Sequence, residues 1–293
     1  MSIYDINGNA LTSANGIDGT TLPQSYDVNG NIIWTRQPNS IKVMTYNVGG
    51  WYIGSKTNVP ADKDAEYYAL QNGMISNDDA DILCINEYTK QFSKLPRTAI
   101  SLLEQYYPYI HEQGGDTATV TNGRCICSKY PITNYATHQY SQSGSPRYFD
   151  TCTITVGNIP ITVVVTHLNY NATSDTARVA QLNELISYLQ TQERFIACGD
   201  FNTLDCKNTS GVDYTKMIVP MLNAGFNLAN CSDFGFLITY SDEPTDTWTG
   251  CLDNIVTSSN INILSATVDT TKLNDNLTER TDHMPLIATV ELI

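Results

Sequence analysis

At 293 residues the chain exceeds the usual single domain, yet it is within reach of one large β-rich unit. Its composition, 41% hydrophobic and 16% charged, suits a globular protein with a sizeable core, and no apolar run is long enough to span a membrane. With 30 Asp and Glu against 16 Lys and Arg, the formal charge of −14 argues against a passive polyanion binder, but less against an enzyme whose bound metal supplies positive charge locally.

Residues 1–40 read as an appendage with a linker, and 41–293 as the main body. Met1–Ala10 lacks a basic n-region and an apolar h-region, so no secretory signal is visible and the cytoplasm is the default. Tyr4-Asp-Ile-Asn-Gly-Asn9 returns as Tyr26-Asp-Val-Asn-Gly-Asn31, and Asn-Gly between β-formers predicts two small hairpins or turns. The Asp-x-Asn-Gly-Asn spacing resembles a calcium loop but lacks its distal glutamate. The partner of an attachment segment of this kind is not specified by the sequence.

From Ile41 onward, runs rich in Val, Ile, Thr and Tyr predict strands over Ile41–Val48, Ile82–Glu87, Arg124–Ser128, Phe149–Val156, Ile161–Leu168, Phe195–Phe201, Leu252–Thr257, Ile261–Val268 and Leu286–Ile293. Helices are expected near Asp64–Met74, Ala99–Tyr106 and Tyr214–Asn223. The clearest is Asp175–Gln190, with Val179, Leu182, Ile186 and Leu189 on one face and Ser174 as N-cap. Many strands and few helices, not strictly alternating, imply two sheets face to face with helices outside. Of the eight cysteines, Cys84, Cys152 and Cys198 read as buried hydrophobes. Cys125 and Cys127 read as facing opposite sides of a strand, and without a CxxC a zinc site is not expected.

Several strands are apolar until their last residues and then end in polar, chemically capable groups: Asn47, Glu87, His167, and Asp200 with Asn202 two residues on, hence on the same side. Asp253 opens a strand, and Asp282-His283 precedes the last one. Each alone is compatible with a cap or a surface turn. Together at one rim, such carboxylates repel unless a cation is shared, and oxygen-rich, sulfur-free ligation favours Mg²⁺ or Mn²⁺. The residues therefore point to a metal-dependent hydrolase with two histidines.

Met44-Thr-Tyr-Asn47, Asn86-Glu87, Gly123-Arg-Cys-Ile-Cys-Ser-Lys-Tyr-Pro131-Ile132, Val165-Thr-His167-Leu168, Gly199-Asp200-Phe-Asn202, Asp253-Asn-Ile and Asp282-His283-Met-Pro285 occur in an order that resembles the endonuclease/exonuclease/phosphatase superfamily, whose best-known type is deoxyribonuclease I. The resemblance implies a four-layered α/β/β/α sandwich of two mostly antiparallel sheets with the site at one rim. It implies Glu87, Asn47 and Asp282 as metal ligands, and Asp200 with Asn202 orienting the attacking water. His283, oriented by Asp253, would be the catalytic histidine, and His167 the second, with Arg147 and Arg178 near the phosphate. No acidic partner for His167 can be placed, and a Cys206–Cys251 disulfide is a further implication. Mg²⁺ is the implied cofactor, with Mn²⁺ an alternative, and DNA the first-choice substrate. A sphingomyelinase-like phospholipid phosphodiesterase or a small-molecule phosphatase is the alternative, and a silent adaptor the remaining one. The Leu-Asn-Tyr-Arg that follows the catalytic aspartate in 5-phosphatases is absent here.

Overall fold

The computed structural model of the protein describes residues 24–26, 32–35, 40–49, 72–90, 99–115, 123–141, 147–170, 175–231, 233–241, 248–270 and 283–293. The chain divides into two compact units, residues 1–39 and 40–293. In the first, β1 (Gln24–Tyr26) and β2 (Ile32–Thr35) pair antiparallel, and residues 27–31 between them, with the second Asn-Gly, lie outside the described residues. The first copy of the repeat lies outside the described residues.

The second unit holds two mixed six-stranded sheets among the described residues. One runs in the order β11 (Asn227–Leu228), β14 (Asp253–Thr257), β10 (Phe195–Asp200), β9 (Ile159–His167), β8 (Tyr148–Val156) and β7 (Ile132–Gln139). The other runs β15 (Ile261–Val268), β16 (Leu286–Leu292), β3 (Ser40–Asn47), β4 (Ile82–Tyr88), β6 (Gly123–Ser128) and β5 (Tyr109–Gln113). A short pair, β12 (Tyr240–Ser241) and β13 (Trp248–Gly250), stands apart from both. Each large sheet carries one parallel pair near its middle, β9 with β10 and β3 with β4, and pairs antiparallel elsewhere. A parallel neighbour makes two strands end at the same rim, which is what the site requires.

Strand periodicity builds the layers. Val163 and Val165 of β9, Ile196 and Cys198 of β10, Ile41 and Val43 of β3, and Ile82 and Cys84 of β4 meet in one core between the sheets. The intervening residues face outward. Val164, Phe195, Ala197 and Val256 pack with Leu182, Leu185 and Leu189 of α3 (Thr176–Leu189) and with Met217, Ile218 and Met221. Met44, Tyr46, Leu83 and Ile85 pack with Met74 and Ile75 of α1 (72–78) and with Leu102 and Leu103 of α2 (Ala99–Leu103). The result is the α/β/β/α sandwich that the motif order implied, with the central strands of each sheet buried on both faces. None of the described helices is long and apolar enough to cross a membrane.

The differences from expectation are local. β5 and β7 were not anticipated, because an edge strand such as Ile132–Gln139 alternates half-buried with exposed polar residues and has no apolar run. The segment read as a helix over Tyr214–Asn223 is a π-helical turn, Tyr214–Ile218, continued by α4 (Val219–Asn223) with Pro220 in its first turn. Of the expected Asp64–Met74 helix, residues 64–71 lie outside the described residues, as does Ser174. Asp175 occupies the N-cap of α3 and makes no side-chain cap bond. The reading of Cys125 and Cys127 is corrected. Residues two apart in a strand share a face, and their thiols lie 3.6 Å apart in the outer core under α2. Cys206 and Cys251 are buried free cysteines lying close enough to interact, and the implied disulfide is not formed between them.

Candidate active site

Strand register assembles one wall of the site. Antiparallel β10 and β14 place Asp200 opposite Asp253, and parallel β9 and β10 place Asp200 beside His167. The row Asp253, Asp200, His167 thus comes from three adjacent strand ends at a single rim. In the facing sheet, parallel β3 and β4 align Asn47 with Asn86, and the Asn86 Nδ2 donates to the Thr166 carbonyl at 2.7 Å, tying the two rims together.

Glu87 reaches the site through a defect in the ladder. Asn86 pairs with Arg124 and Tyr88 with Gly123, so Glu87 is the extra residue of a bulge in β4, with φ +51. Left-handed backbone at a glutamate costs on the order of 1–3 kcal/mol and needs outside support. Two glycines provide room for it: a Cβ on Gly123 would stand 2.1 Å from the Tyr88 carbonyl oxygen, and one on Gly115 2.4 Å from it.

Around this frame the polar groups converge. The Asn47 Nδ2 donates to Glu87 Oε1 at 3.2 Å and to Asp200 Oδ2 at 3.1 Å, and lies 3.4 Å from the His283 Nε2. His283 Nδ1 lies 2.7 Å from Asp253 Oδ2. An Nδ1–H donated to that carboxylate leaves Nε2 unprotonated, the tautomer a general base requires. His283 itself is held by the chain just before β16: it forms an isolated bridge with Tyr240, Met284 N donates to the Thr239 carbonyl at 2.8 Å, and the Tyr240 ring lies edge-on to the imidazole at 5.2 Å. Tyr240 was not singled out in the sequence, because nothing in its neighbourhood marks it as close to His283.

His167 is nearly buried, with Nδ1 3.9 Å from Glu87 Oε1 and Nε2 3.5 Å from Asp200 Oδ2. Asp200 is thus the nearest carboxylate to it among the described residues. Burial, and then the charges of Arg147, His283 and Arg124, hold its pKa well below the ordinary histidine value, so it rests neutral. Asp200 is pushed up to about 7, first by burial and then by Asp253 and Glu87, while His283 and the backbone bond from Asn202 act the other way. Asn202 sits beyond the end of β10 at φ +54, so a turn rather than strand alternation aims it. Its N–H donates to Asp200 Oδ1 at 2.8 Å and its Nδ2 to the Leu168 carbonyl at 2.9 Å, bracing Asp200 and the start of the loop after His167.

Glu87, His167, Asp200, Asn202 and His283 line a cleft of about 600 Å³ that also includes Arg147 and Arg178. Burial lowers the pKa of Arg147, and the attraction of Asp200 and Glu87 opposes that shift only in part. Arg178 is engaged otherwise: its guanidinium donates to Asp175 and Asp213, each at 2.5 Å, and to the Asn202 carbonyl. Asp282 lies outside the described residues. The compact acidic and imidazole group among the described residues is Asp200, Asp253 and His283, whose ligand atoms all lie within 4.8 Å of one another.

A four-layered sandwich with carboxylates and imidazoles gathered at one rim defines a class of phosphoester hydrolases. The chain belongs to the endonuclease/exonuclease/phosphatase family, whose model matches residues 44–283. No curated protein sequence matches it. Among solved structures it is similar to truncated Caenorhabditis elegans TDP2, at 15% identity and TM-score 0.64, over 86% of this chain and 98% of that one. Danio rerio TDP2 complexed with single-strand DNA product superposes at 12% identity and TM-score 0.65, over 87% of this chain and 100% of that one. An endonuclease/exonuclease/phosphatase protein from Beutenbergia cavernae superposes at 15% identity and TM-score 0.64, over 88% and 72%. At these identities the likeness is one of fold.

Proposed function

We propose that the protein is a divalent-metal-dependent phosphodiester hydrolase that cuts DNA as a deoxyribonuclease I-type endonuclease. The observation that carries this reading is the His283–Asp253 pair set beside Asp200, Asn47 and Glu87 at one buried rim. Three carboxylates in so small a space repel one another, which adds to burial in raising the pKa of Asp200, and their oxygen donors suit a hard cation such as Mg²⁺, or Mn²⁺. Glu87 and Asn47, with Asp282 from the sequence, would hold that ion. When bound, it supplies Lewis-acid charge at the phosphate.

The remaining chemistry falls to the protein's own side chains. Asp200, its Oδ1 fixed by the Asn202 N–H, aligns a water for attack, and Asn202 keeps that carboxylate in place. His283, held by Asp253, contributes a proton-accepting Nε2 within the same cleft. Neutral His167 and the Arg147 guanidinium face the phosphate oxygens and the departing group. Arg178 acts from behind, by fixing Asp175, Asp213 and the Asn202 carbonyl.

DNA is the preferred substrate in view of the relative described with single-strand DNA product. A phosphodiesterase of small esters or phospholipids is the second reading, favoured by the acidic residues Asp175, Asp205 and Asp213 along the cleft. Nicking of supercoiled plasmid with Mg²⁺, with EDTA and Asp200→Ala controls, separates the two. Metal-dependent nicking lost in the variant supports the nuclease. No nicking, with sphingomyelin or a small diester turned over instead, supports the second reading.

A further inference from the structure

Helix α3 buries two polar side chains one turn apart. Arg178 is 6% exposed and Gln181 fully buried, on a helix whose other inward residues are Leu182, Leu185, Ile186 and Leu189. Residues three apart in a helix are neighbours on one face, so the two side chains meet the same surroundings. An amide this deep costs free energy unless it is bonded. Gln181 turns its oxygen away from the helix, and Oε1 accepts the Asn169 N–H at 2.8 Å. A backbone N–H only donates, so this contact fixes which end of the amide faces the loop.

Leu168 and Asn169 carry the chain away from His167 at the end of β9. Leu168 N donates to the Asp200 carbonyl at 2.9 Å, and the Leu168 carbonyl accepts from Asn202 Nδ2 at 2.9 Å. The same Asn202 gives its N–H to Asp200 Oδ1 and its carbonyl to the Arg178 guanidinium. The loops that leave β9 and β10 are thus fastened to one helix, the first by Gln181 and the second by Arg178. Leu168 and Asn202 fasten them to each other. Asn202 stands at φ +54, a backbone conformation that persists when its surroundings hold it. Gln181 does not line the cleft, so it acts on the reaction only through these loops.

We infer that Gln181 is a positioning residue for the reaction. By holding Asn169 it sets, through Leu168 and Asn202, where the His167 imidazole and the Asp200 carboxylate stand relative to each other. Arg178 completes the grip from one helical turn earlier. No proton passes through Gln181 and it touches no reacting atom. This deepens the hydrolase reading of the same cleft and rests on it. A displacement of about 1 Å at reacting groups can lose on the order of a hundredfold in rate. The loss falls on kcat, because the groups that bind the substrate stay in place.

The test compares the full chain with three variants. Gln181→Met keeps length and volume without an acceptor, Gln181→Asn keeps an amide too short to reach Asn169, and Gln181→Glu restores an acceptor oxygen. Two readouts are taken well below each Tm: hydrolysis of bis(p-nitrophenyl) phosphate with Mg²⁺, and amide hydrogen exchange at Asn202 on the neighbouring loop. The Met and Asn variants should lose kcat by roughly tenfold to a hundredfold, with KM within about threefold of the wild type. Exchange at Asn202 should quicken in both, and the Glu variant should recover both readouts. A residue that merely fills the core would lower Tm and leave kcat of the folded protein alone, so an unchanged kcat overturns the inference even where Tm falls. A Glu variant as impaired as the other two also overturns it, since the acceptor would then be irrelevant. If the wild type shows no metal-dependent turnover, the hydrolase reading fails and exchange decides the grip separately. Protection lost at Asn202 in the Met and Asn variants but kept in the Glu variant supports it, and equal protection in every variant overturns it.

Discussion

The 2.7 Å contact between His283 Nδ1 and Asp253 Oδ2 joins residues from different sheets, Asp253 at the start of β14 and His283 just before β16. It fixes which ring nitrogen can accept a proton. Asp253→Asn keeps the shape but presents an amide that can favour the other tautomer. We expect kcat to fall roughly a hundredfold to ten-thousandfold, the usual span for general acid–base contributions. Steady-state kinetics checks this, alongside circular dichroism to show that the fold is kept. A loss below threefold would contradict the assignment.

Asp200 makes stability depend on pH. Its folded pKa, about 7, lies above the ordinary carboxylate value of 3.8, so the folded protein retains a proton that the unfolded chain gives up between those limits. Any favourable contribution is complete below pH 4 and lost as pH rises through 7. Metal-free Asp200→Asn should therefore be more stable than the wild type at pH 8, by on the order of 2–4 kcal/mol, with the gap closing toward pH 4. Thermal melts in EDTA across that range measure it. A variant less stable than wild type at pH 8 would refute the burial argument.

The bulge at Glu87 depends on two missing side chains. Gly123→Ala would force a Cβ to within 2.1 Å of the Tyr88 carbonyl, so the strand must shift and carry Glu87 with it. We expect weaker Mg²⁺ binding by calorimetry and a loss of activity larger than the loss of Tm. Unchanged metal affinity would show that the bulge does not aim Glu87.

Beneath the rim, Arg124 and Asp150 form a buried bidentate pair between the sheets, with the Arg124 guanidinium 5.4 Å from the Tyr148 ring. Arg124→Met alone strands a buried carboxylate and should cost about 3–5 kcal/mol, whereas adding Asp150→Leu should recover much of that. Urea titrations of the two variants decide it. A double variant no better than the single would mean that the pair is not the source of the cost.

Much of this was legible because the site sits where strand periodicity stops. Asn47, Glu87, His167 and Asp200 each follow an apolar run, and a run that ends in a polar group is visible in one dimension. What remained hidden depends on contacts between distant segments. Tyr240 reaches His283 through a single bridge, and Asn202 is aimed by a turn, not a strand. Arg178, read near the phosphate, is engaged with two aspartates whose proximity no local spacing reveals. The Cys125 and Cys127 reading failed on parity alone, since residues two apart share a face.

The most direct measurement is hydrolysis of bis(p-nitrophenyl) phosphate, which asks for the chemistry without presuming the substrate. The account predicts turnover that requires Mg²⁺ or Mn²⁺, is abolished by EDTA, and drops at least a hundredfold in both Asp200→Asn and His283→Ala. Turnover that persists in EDTA, or that survives both substitutions, would contradict a metal-dependent centre at this rim.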